Sequence, residues 1–128
     1  MYDHYLPELA RRYFSSKPQE RKPVRMFEIG LGCGMSAGPG NSVKLWKGYF
    51  KAMGVPLQLY VFEYNEKCGR KWLAKQNAET LREFEMYFGD QANEDDLNKA
   101  VVASGGMFDA IVDDGGHRCV RALSLRRP

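Results

Sequence analysis

The stretch VRMFEIGLGCGMSAGPGN, residues 24–41, decides the fold class of this chain. It begins with a short run of mostly apolar residues that ends at Gly30, which predicts a buried β-strand. The residues that follow are too rich in glycine for a helix or a strand, so they predict a loop. From Ser42 apolar residues recur at helical spacing, and Gly54 stands where a helix commonly ends. The unit is therefore strand, glycine loop and helix.

The same alternation continues along the chain. Further apolar runs with β-strand character alternate with segments of helical periodicity, and this order predicts an α/β fold with a parallel sheet. An additional helix precedes the first strand and is joined to it by a linker with two prolines. The predicted strands are 24–30, 57–64, 83–90 and 107–114, the predicted helices are 3–14, 42–53, 66–81 and 93–104, and the linker is 15–23.

Length and composition restrict the classes of function. The chain has 128 residues, of which 44% are hydrophobic and 27% charged, so we expect a globular protein with one core. No apolar run approaches the ~18 residues that cross a bilayer, and the start lacks a secretory signal. The three cysteines, Cys33, Cys68 and Cys119, are odd in number and lack metal-ligand spacing. They predict reduced thiols and a cytoplasmic location.

Basic residues cluster at both ends of the chain, although the net charge is only +3. Such clusters can bind phosphates, but aromatic residues are not interleaved with them as in single-strand binders. We therefore expect a solvated helix face and tail, with neither nucleic acid nor a membrane as partner. The two clusters are Arg11, Arg12, Lys17, Arg21, Lys22 and Arg25, and Arg118, Arg121, Arg126 and Arg127.

Acidic residues follow each predicted strand. In open parallel sheets ligands bind beyond the carboxyl ends of the strands, so acids at these ends predict a binding site. A glycine loop combined with an acid at each strand end is a stronger signal than the loop alone. The acids are Glu28, Glu63, Asp90 and the pair Asp113 and Asp114.

The glycine loop also restricts the ligand. The nicotinamide-binding pattern G-x-G-x-x-G begins at Gly30 and Gly32 but fails at Met35, where the third glycine would stand. A P-loop is excluded because no Gly-Lys-Ser/Thr follows. The loop instead reads E-x-G-x-G-x-G, which favours a ligand without a pyrophosphate. A loop that serves only as a tight turn is the structural alternative.

Four segments together resemble a known enzyme family. VRMFEIGLGCG (24–34), YVFEYN (60–65), FGDQAN (88–93) and FDAIVDDGGH (108–117) resemble the first four strands of class I S-adenosylmethionine-dependent methyltransferases. The sequence is most similar to the macrolide-sugar O-methyltransferases of the demethylmacrocin and mycinamicin type and their fungal relatives. The resemblance extends from about Tyr2 to His117, and it implies a Rossmann-like sheet of strand order 3-2-1-4.

The resemblance implies a role for each acid and glycine. The loop glycines would let the backbone approach the methionine part of S-adenosylmethionine, and Glu28 would lie beneath the loop. Glu63 would accept hydrogen bonds from both ribose hydroxyls, and Asp90 from the adenine amino group. An exposed strand-end acid and a helix cap are the structural alternatives for these two. The implied cofactor-binding residues are Glu28, Gly30, Gly32, Gly34, Glu63, Asp90 and Asp113.

The segment DDGGH would carry the chemistry of methyl transfer. The resemblance implies that Asp114 is a catalytic magnesium ligand and that His117 is the general base for the acceptor hydroxyl, a role suited to neutral histidine. Gly116 departs from the serine usual in this branch. The alternatives are that Asp113 or Asp114 caps a following helix and that His117 is a surface residue.

The chain ends before the rest of the family fold. The resemblance implies a fifth strand followed by two further carboxylate ligands for Mg²⁺, and residues 118–128 contain no acid. We therefore expect an incomplete methyltransferase fold that binds cofactor at best and is inactive alone. An uncovered fourth strand would permit self-association. The expected organisation is an N-terminal helix and linker (1–23), a cofactor-binding half-domain (24–117) and a basic tail (118–128).

The sequence thus predicts an S-adenosylmethionine-dependent O-methyltransferase segment whose acceptor is a hydroxyl of a small molecule or sugar. Three alternatives stay open at this point. They are a fragment of a nicotinamide-dependent oxidoreductase, a non-catalytic interaction module that uses its basic ends, and a non-functional truncated product.

Overall fold

The computed structural model describes residues 5–113, which form a four-stranded parallel sheet with helices on both faces. The strand order is β3-β2-β1-β4, so the predicted order 3-2-1-4 is confirmed. The elements are α1 (Tyr5–Ser15), β1 (Val24–Ile29), α2 (Asn41–Met53), β2 (Leu57–Glu63), α3 (Glu66–Leu73), α4 (Ala78–Arg82), β3 (Phe84–Phe88), α5 (Glu94–Ser104) and β4 (Ala110–Asp113).

One face of the sheet carries the larger core. Because side chains alternate along a strand, Met26 of β1 and Leu59 of β2 point to this face, and both are fully buried. Helices α1, α2 and α3 cover it. Their buried contributions are Leu9 and Ala10 from α1, Val43, Trp46 and Phe50 from α2, and Trp72 from α3. The N-terminal helix therefore shares one core with the sheet, while the predicted boundary at residue 23 stays a prediction.

The opposite face carries a smaller, more aromatic core. Phe27 of β1 and Phe62 of β2 pack there with Leu97 and Ala100 of α5. Among residues 5–113, α5 is the one helix that contributes buried residues to this cluster. The two faces are thus unequally covered within the described part of the chain.

Capping residues explain where α5 begins and ends. The Asn93 side chain accepts hydrogen bonds from the backbone N–H groups of Asp95 and Asp96, which satisfies donors that the first turn leaves free. Gly105 ends the helix in the left-handed region, with φ +86°. Both predicted ends of this helix are confirmed.

The predicted single helix over 66–81 is wrong. The structure has two helices, α3 and α4, with a break before Asn77. The Asn77 side chain accepts a hydrogen bond from the Thr80 N–H and so begins a new helix. Trp72 of α3 is buried, whereas Leu73 is only partly buried. Helix propensities do not reveal the break, because neither glycine nor proline stands between α3 and α4.

The structure also differs from the predictions before β4 and within the linker. β4 begins at Ala110 rather than at residue 107. Just before β4, the Asp109 carboxylate accepts a hydrogen bond from the N–H of Arg25 in β1 at 2.8 Å. The linker contains a short 3-10 turn, Pro18–Glu20, which proline at its first position favours.

Candidate functional site

The carboxyl ends of the four strands lie side by side along one edge of the sheet. Ile29 of β1 is in register with Phe62 of β2 and with Asp113 of β4, and Glu63 is in register with Phe88 of β3. Neighbouring strands are about 4.8 Å apart, so the outer two strand ends are separated by about 15 Å. The sheet therefore brings the predicted strand-end residues to one edge.

The glycine loop begins at this edge. The Gly30 N–H donates a hydrogen bond to the Phe62 carbonyl at 2.8 Å, which extends the pairing of β1 and β2 by one residue. Gly32 and Gly34 have φ values of +92° and +87°, in the left-handed region that favours glycine. A Cβ on Gly32 would lie 3.4 Å from the Gly38 carbonyl oxygen, whereas no described atom lies within 4 Å of that position on Gly34. The backbone at Gly34 is thus open to a ligand.

Packing against α3 fixes the far end of the loop. The Gly40 N–H donates a hydrogen bond to the Leu31 carbonyl at 2.8 Å, which closes the loop on itself. A Cβ on Gly40 would overlap the indole nitrogen of Trp72. Glycine is therefore required here by close approach to α3 as well as by a φ of +90°.

Glu63 connects the glycine loop to the segment after β2. One carboxylate oxygen, Oε2, accepts a hydrogen bond from the Leu31 N–H at 2.6 Å, and Oε1 accepts one from the Asn65 N–H at 2.9 Å. The residue is 6% exposed. A carboxylate has about four acceptor positions, so two backbone donors leave capacity for two further donors. Glu63 can hold the loop and accept from a ligand at the same time.

Glu28 lies one residue before the end of β1 and is fully buried. It is in register with Val61 of β2 and Val112 of β4. Alternation along the strand places its side chain on the same face as Met26, beneath the loop side of the sheet. This placement is compatible with the predicted role, which stays a prediction.

Asp90 follows β3 and is exposed. Its Oδ1 accepts a hydrogen bond from the Ala92 N–H at 2.9 Å, and its own N–H donates to Asp96 Oδ2 at 2.9 Å. The cap of α5 is Asn93 rather than Asp90. The structural alternative for Asp90 is therefore a local turn, and its contact with adenine stays a prediction.

The DDGGH segment is described only in part. Asp113 is the last residue of β4 and is exposed at the same edge as Glu63. Asp114, Gly116 and His117 lie outside the described residues. Within residues 5–113 no group of three or more His, Cys, Asp or Glu side chains could hold a metal ion. The predicted magnesium ligand and general base are therefore untested.

The cysteine interpretation needs a correction. Cys33 and Cys68 form a disulfide, with their Cα atoms 6.2 Å apart, so reduced thiols were the wrong expectation for these two. The two cysteines are 35 residues apart in the sequence, and they come close together because the sheet brings the loop after β1 beside the helix after β2. The position of each cysteine just after a predicted strand was the available signal. Cys119 lies outside the described residues.

Sequence reasoning also missed the backbone partners of the site. The N–H groups of Leu31 and Asn65 hold the Glu63 carboxylate, and neither could be identified by residue type. Asn65 has a second role that its type did signal, because its side chain caps α3 by accepting from the Cys68 N–H at 3.0 Å.

The four described arginines of the N-terminal cluster all bind within the chain. Arg11 and Arg12 pair with Glu8, and this pairing lowers the pKa of the Glu8 carboxyl to about 2, chiefly through its hydrogen bond with Arg11. Arg21 donates to the carbonyls of Ser16 and Phe14. Arg25 donates to the carbonyls of Ser104 and Gly106. These contacts favour a structural role for the cluster.

Two surface cavities lie away from the carboxyl edge. One, of about 580 Å³, lies between α1, the amino end of β1 and the segment before β4. The other, of about 670 Å³, lies between α2, the amino end of β2 and α4. Neither is lined by the predicted cofactor-binding residues, since both open at the amino ends of strands. None of the helices within residues 5–113 has the length and apolar character needed to cross a membrane.

Comparison with known proteins confirms the resemblance to methyltransferases. The chain is 27% identical over 117 residues to the 8-demethyl-8-(2-methoxy-alpha-L-rhamnosyl)-tetracenomycin-C 3'-O-methyltransferase of Streptomyces olivaceus. The match covers 89% of this chain and 25% of that protein, so the chain spans about a quarter of the relative's length. No family model matches the sequence.

A solved structure gives the same result for the fold. The chain is similar to the MycE methyltransferase of the mycinamycin biosynthetic pathway, solved in complex with Mg and SAH, with 25% identity and a TM-score of 0.50. The match covers 88% of this chain and 30% of that one. The α/β, Rossmann-like methyltransferase fold predicted from the sequence is thereby confirmed over the matched part.

Proposed function

We propose that this chain forms the cofactor-binding segment of an S-adenosylmethionine-dependent O-methyltransferase. The observation that carries the proposal is the position of Glu63. It ends β2 at the carboxyl edge of the sheet, and its carboxylate holds the N–H of Leu31 in the glycine loop. The glycine loop and the acid at the end of β2, which the resemblance assigns to cofactor binding, thus meet at one buried carboxylate.

The residues at this edge fit the cofactor. Gly34 leaves its backbone open, and the loop that contains it would lie along the methionine part. Glu63 would accept from the ribose hydroxyls with the acceptor positions that Leu31 and Asn65 leave available. When bound, S-adenosylmethionine supplies an electrophilic methyl group on its sulfonium sulfur.

Asp90 and Asp113 extend the proposed site to both sides. Asp90 stands after β3, where it would accept from the adenine amino group, and Asp113 stands at the end of β4, where it would lie near the reacting end of the cofactor. With these roles, the adenine, ribose and methionine parts of the cofactor would lie in turn along the carboxyl edge of the sheet. Glu28 would support the loop from below.

The acceptor side of the reaction lies with residues after β4. We propose that Asp114 binds Mg²⁺ and that His117 removes the proton from an acceptor hydroxyl. The matched structure contains Mg, and the matched sequence relative is a 3'-O-methyltransferase of a rhamnosyl-bearing compound. A sugar or other small-molecule hydroxyl is therefore the proposed acceptor.

We also propose a cytoplasmic location and a surface for self-association. We assign the chain to the cytoplasm, where disulfides such as Cys33–Cys68 are usually transient and redox-active. Within residues 5–113, β4 pairs with β1 on one side and with no strand on the other, and Ile111 is 44% exposed. This edge is the proposed surface for pairing with a second copy.

The two other classes of function receive less support. A nicotinamide cofactor would need close packing of helix and strand at position 35, but Met35 is 58% exposed and α2 begins only at Asn41. A nucleic-acid-binding role would need available arginines, and those of α1 and β1 are bound within the chain.

Calorimetric titration tests the proposal. Titration of S-adenosylhomocysteine into the chain should show saturable binding, and NADH under the same conditions should show none. Binding of NADH in preference would support the oxidoreductase alternative. Absence of binding by a chain that circular dichroism shows to be folded would refute the proposed function.

A further inference from the structure

The disulfide joins the two segments that build the proposed cofactor site. Cys33 lies in the glycine loop between Gly32 and Gly34, and Cys68 lies in the first turn of α3. Neither residue is fully buried. The bond therefore fixes the loop after β1 to the helix after β2.

Glu63 spans the same gap by hydrogen bonds. Its carboxylate accepts from Leu31, two residues before Cys33, and from Asn65, three residues before Cys68. The covalent and the hydrogen-bonded connections therefore hold the same pair of segments. Breaking the covalent connection would remove one of the constraints on the segments that place the Glu63 carboxylate.

The loop depends on such connections for its order. Residues 34–37 are exposed, and Gly32 and Gly34 lie in the left-handed region. Glycines lose more conformational freedom than other residues when they are ordered. Without the disulfide, a ligand that binds along this loop has to supply that ordering itself, and its affinity falls accordingly.

We propose that Cys33 and Cys68 form a reversible thiol-disulfide switch that sets the affinity of the site for its cofactor. The disulfide state binds more tightly. The inference rests on the proposed function, because it concerns the same site. It adds a modification site to that function and names its reactant, a low-molecular-weight disulfide such as glutathione disulfide.

The exchange proceeds in two balanced steps. The Cys68 thiolate attacks one sulfur of glutathione disulfide, forms a mixed disulfide and releases one glutathione thiolate, which takes up a proton. The Cys33 thiolate then attacks the Cys68 sulfur and releases the second glutathione. Two protein thiols are oxidised and one glutathione disulfide is reduced to two thiols. Excess glutathione reverses both steps.

Calorimetry of the two redox states tests the switch. S-adenosylhomocysteine is titrated into the oxidised and the reduced Cys119→Ser chain, in which only the pair can react. We expect about tenfold weaker binding in the reduced state, the size of effect that ordering one loop segment produces. The control is the chain that also carries Cys33→Ser and Cys68→Ser, which should bind like the reduced state whether or not a reductant is present.

The outcomes separate the two proposals. Equal binding in both states, or tighter binding in the reduced state, overturns the switch and leaves the proposed function intact. Absence of binding in both states overturns the proposed function and the switch with it. If mass spectrometry shows that glutathione disulfide leaves both thiols unmodified or only glutathionylated, the switch is also overturned.

A second measurement covers the case in which the reduced chain loses its fold. Coupling between two equilibria is reciprocal, so saturating S-adenosylhomocysteine should favour the disulfide in glutathione buffers by the same factor of about ten. The fraction oxidised is measured by mass spectrometry after rapid alkylation. An unchanged fraction at saturating ligand contradicts the switch.

Discussion

At the scale of single residues, Glu63 has two functions that a variant must separate. It holds the Leu31 and Asn65 N–H groups, and we propose that it also accepts from the ribose. Glu63→Gln keeps the shape but replaces one acceptor oxygen with a donor that faces a backbone N–H. Hydrogen bonds to a charged group contribute about 1.5–3 kcal/mol, so we expect S-adenosylhomocysteine to bind at least about tenfold more weakly by calorimetry.

Glu66→Gln is the matched control for that variant. Glu66 stands three residues later, and its carboxylate is 57% exposed in a pair with Arg70. Exposed pairs of this kind contribute little, so binding should stay within about twofold of the unsubstituted chain. Thermal unfolding of both variants shows whether the loss at Glu63 reflects binding or only stability. Equal affinity of the two variants for S-adenosylhomocysteine would show that Glu63 does not take part in binding it.

Tyr87 gives a prediction for pH. Burial raises the pKa of its phenol above the ordinary value of 10.0, and its hydrogen bond to Glu85 raises it further. The raised folded pKa means that the stabilising contribution is fully present below pH 10 and is lost as the pH rises toward the folded pKa. Tyr87→Phe should remove the latest part of the alkaline absorbance titration of the folded chain. An unchanged late phase would contradict this assignment.

At the scale of elements, the packing of the glycine loop on α3 makes Gly40 essential. Gly40→Ala would place a Cβ against the Trp72 indole at a φ of +90°. Overpacking costs roughly 1–3 kcal/mol and the left-handed conformation roughly 1–2 kcal/mol, so we expect the free energy of unfolding to fall by about 3 kcal/mol in urea denaturation.

Gly48→Ala is the control for the glycine prediction. Gly48 lies within α2, is exposed, and has no described atom within 4 Å of a Cβ position. Replacement of glycine by alanine within a helix stabilises by about 0.5–1 kcal/mol. The two substitutions should therefore change stability in opposite directions. A loss at Gly48 as large as at Gly40 would contradict the account of the loop.

The sequence predicted the strands of the sheet better than the helices α3 and α4. Strand-length apolar runs and the glycines that follow them were sufficient for β1 and β2, whereas the order of the strands was implied by the resemblance to methyltransferases. The break between α3 and α4 was not predictable from periodicity, because asparagine also occurs within helices. Its role became clear only from the structure, in which the Asn77 side chain caps α4. Hydrogen bonding decided that boundary.

The predicted site depended on a similar distinction. Acids at strand ends follow from the alternation of strands and helices, so Glu63 and Asp113 could be placed at one edge from the sequence. The backbone donors at Leu31 and Asn65 and the disulfide partner of Cys33 required the register of β1 and β2. Contacts between segments that are distant in the sequence have no local signal.

At the scale of the whole molecule, the disulfide should stabilise the fold considerably. It closes a separation of 35 residues, for which loss of chain entropy in the unfolded state corresponds to about 4 kcal/mol at most. We expect reduction to lower the free energy of unfolding by about 2–4 kcal/mol, measured by urea denaturation with and without a phosphine reductant. The Cys33→Ser and Cys68→Ser double variant should be insensitive to the reductant. A change below about 0.5 kcal/mol on reduction would contradict this expectation.

The central claim is that the carboxyl edge of the sheet binds the cofactor. Amide chemical-shift mapping by NMR during titration with S-adenosylhomocysteine tests it most directly. The carboxyl edge and the cavity at the amino end of β1 are formed by different residues, so binding at each would shift different amide signals. We predict the largest shifts at Leu31, Gly32, Gly34 and Asn65. Shifts centred on Arg25 and Gly105, which line that cavity, or no shifts at all would contradict the claim.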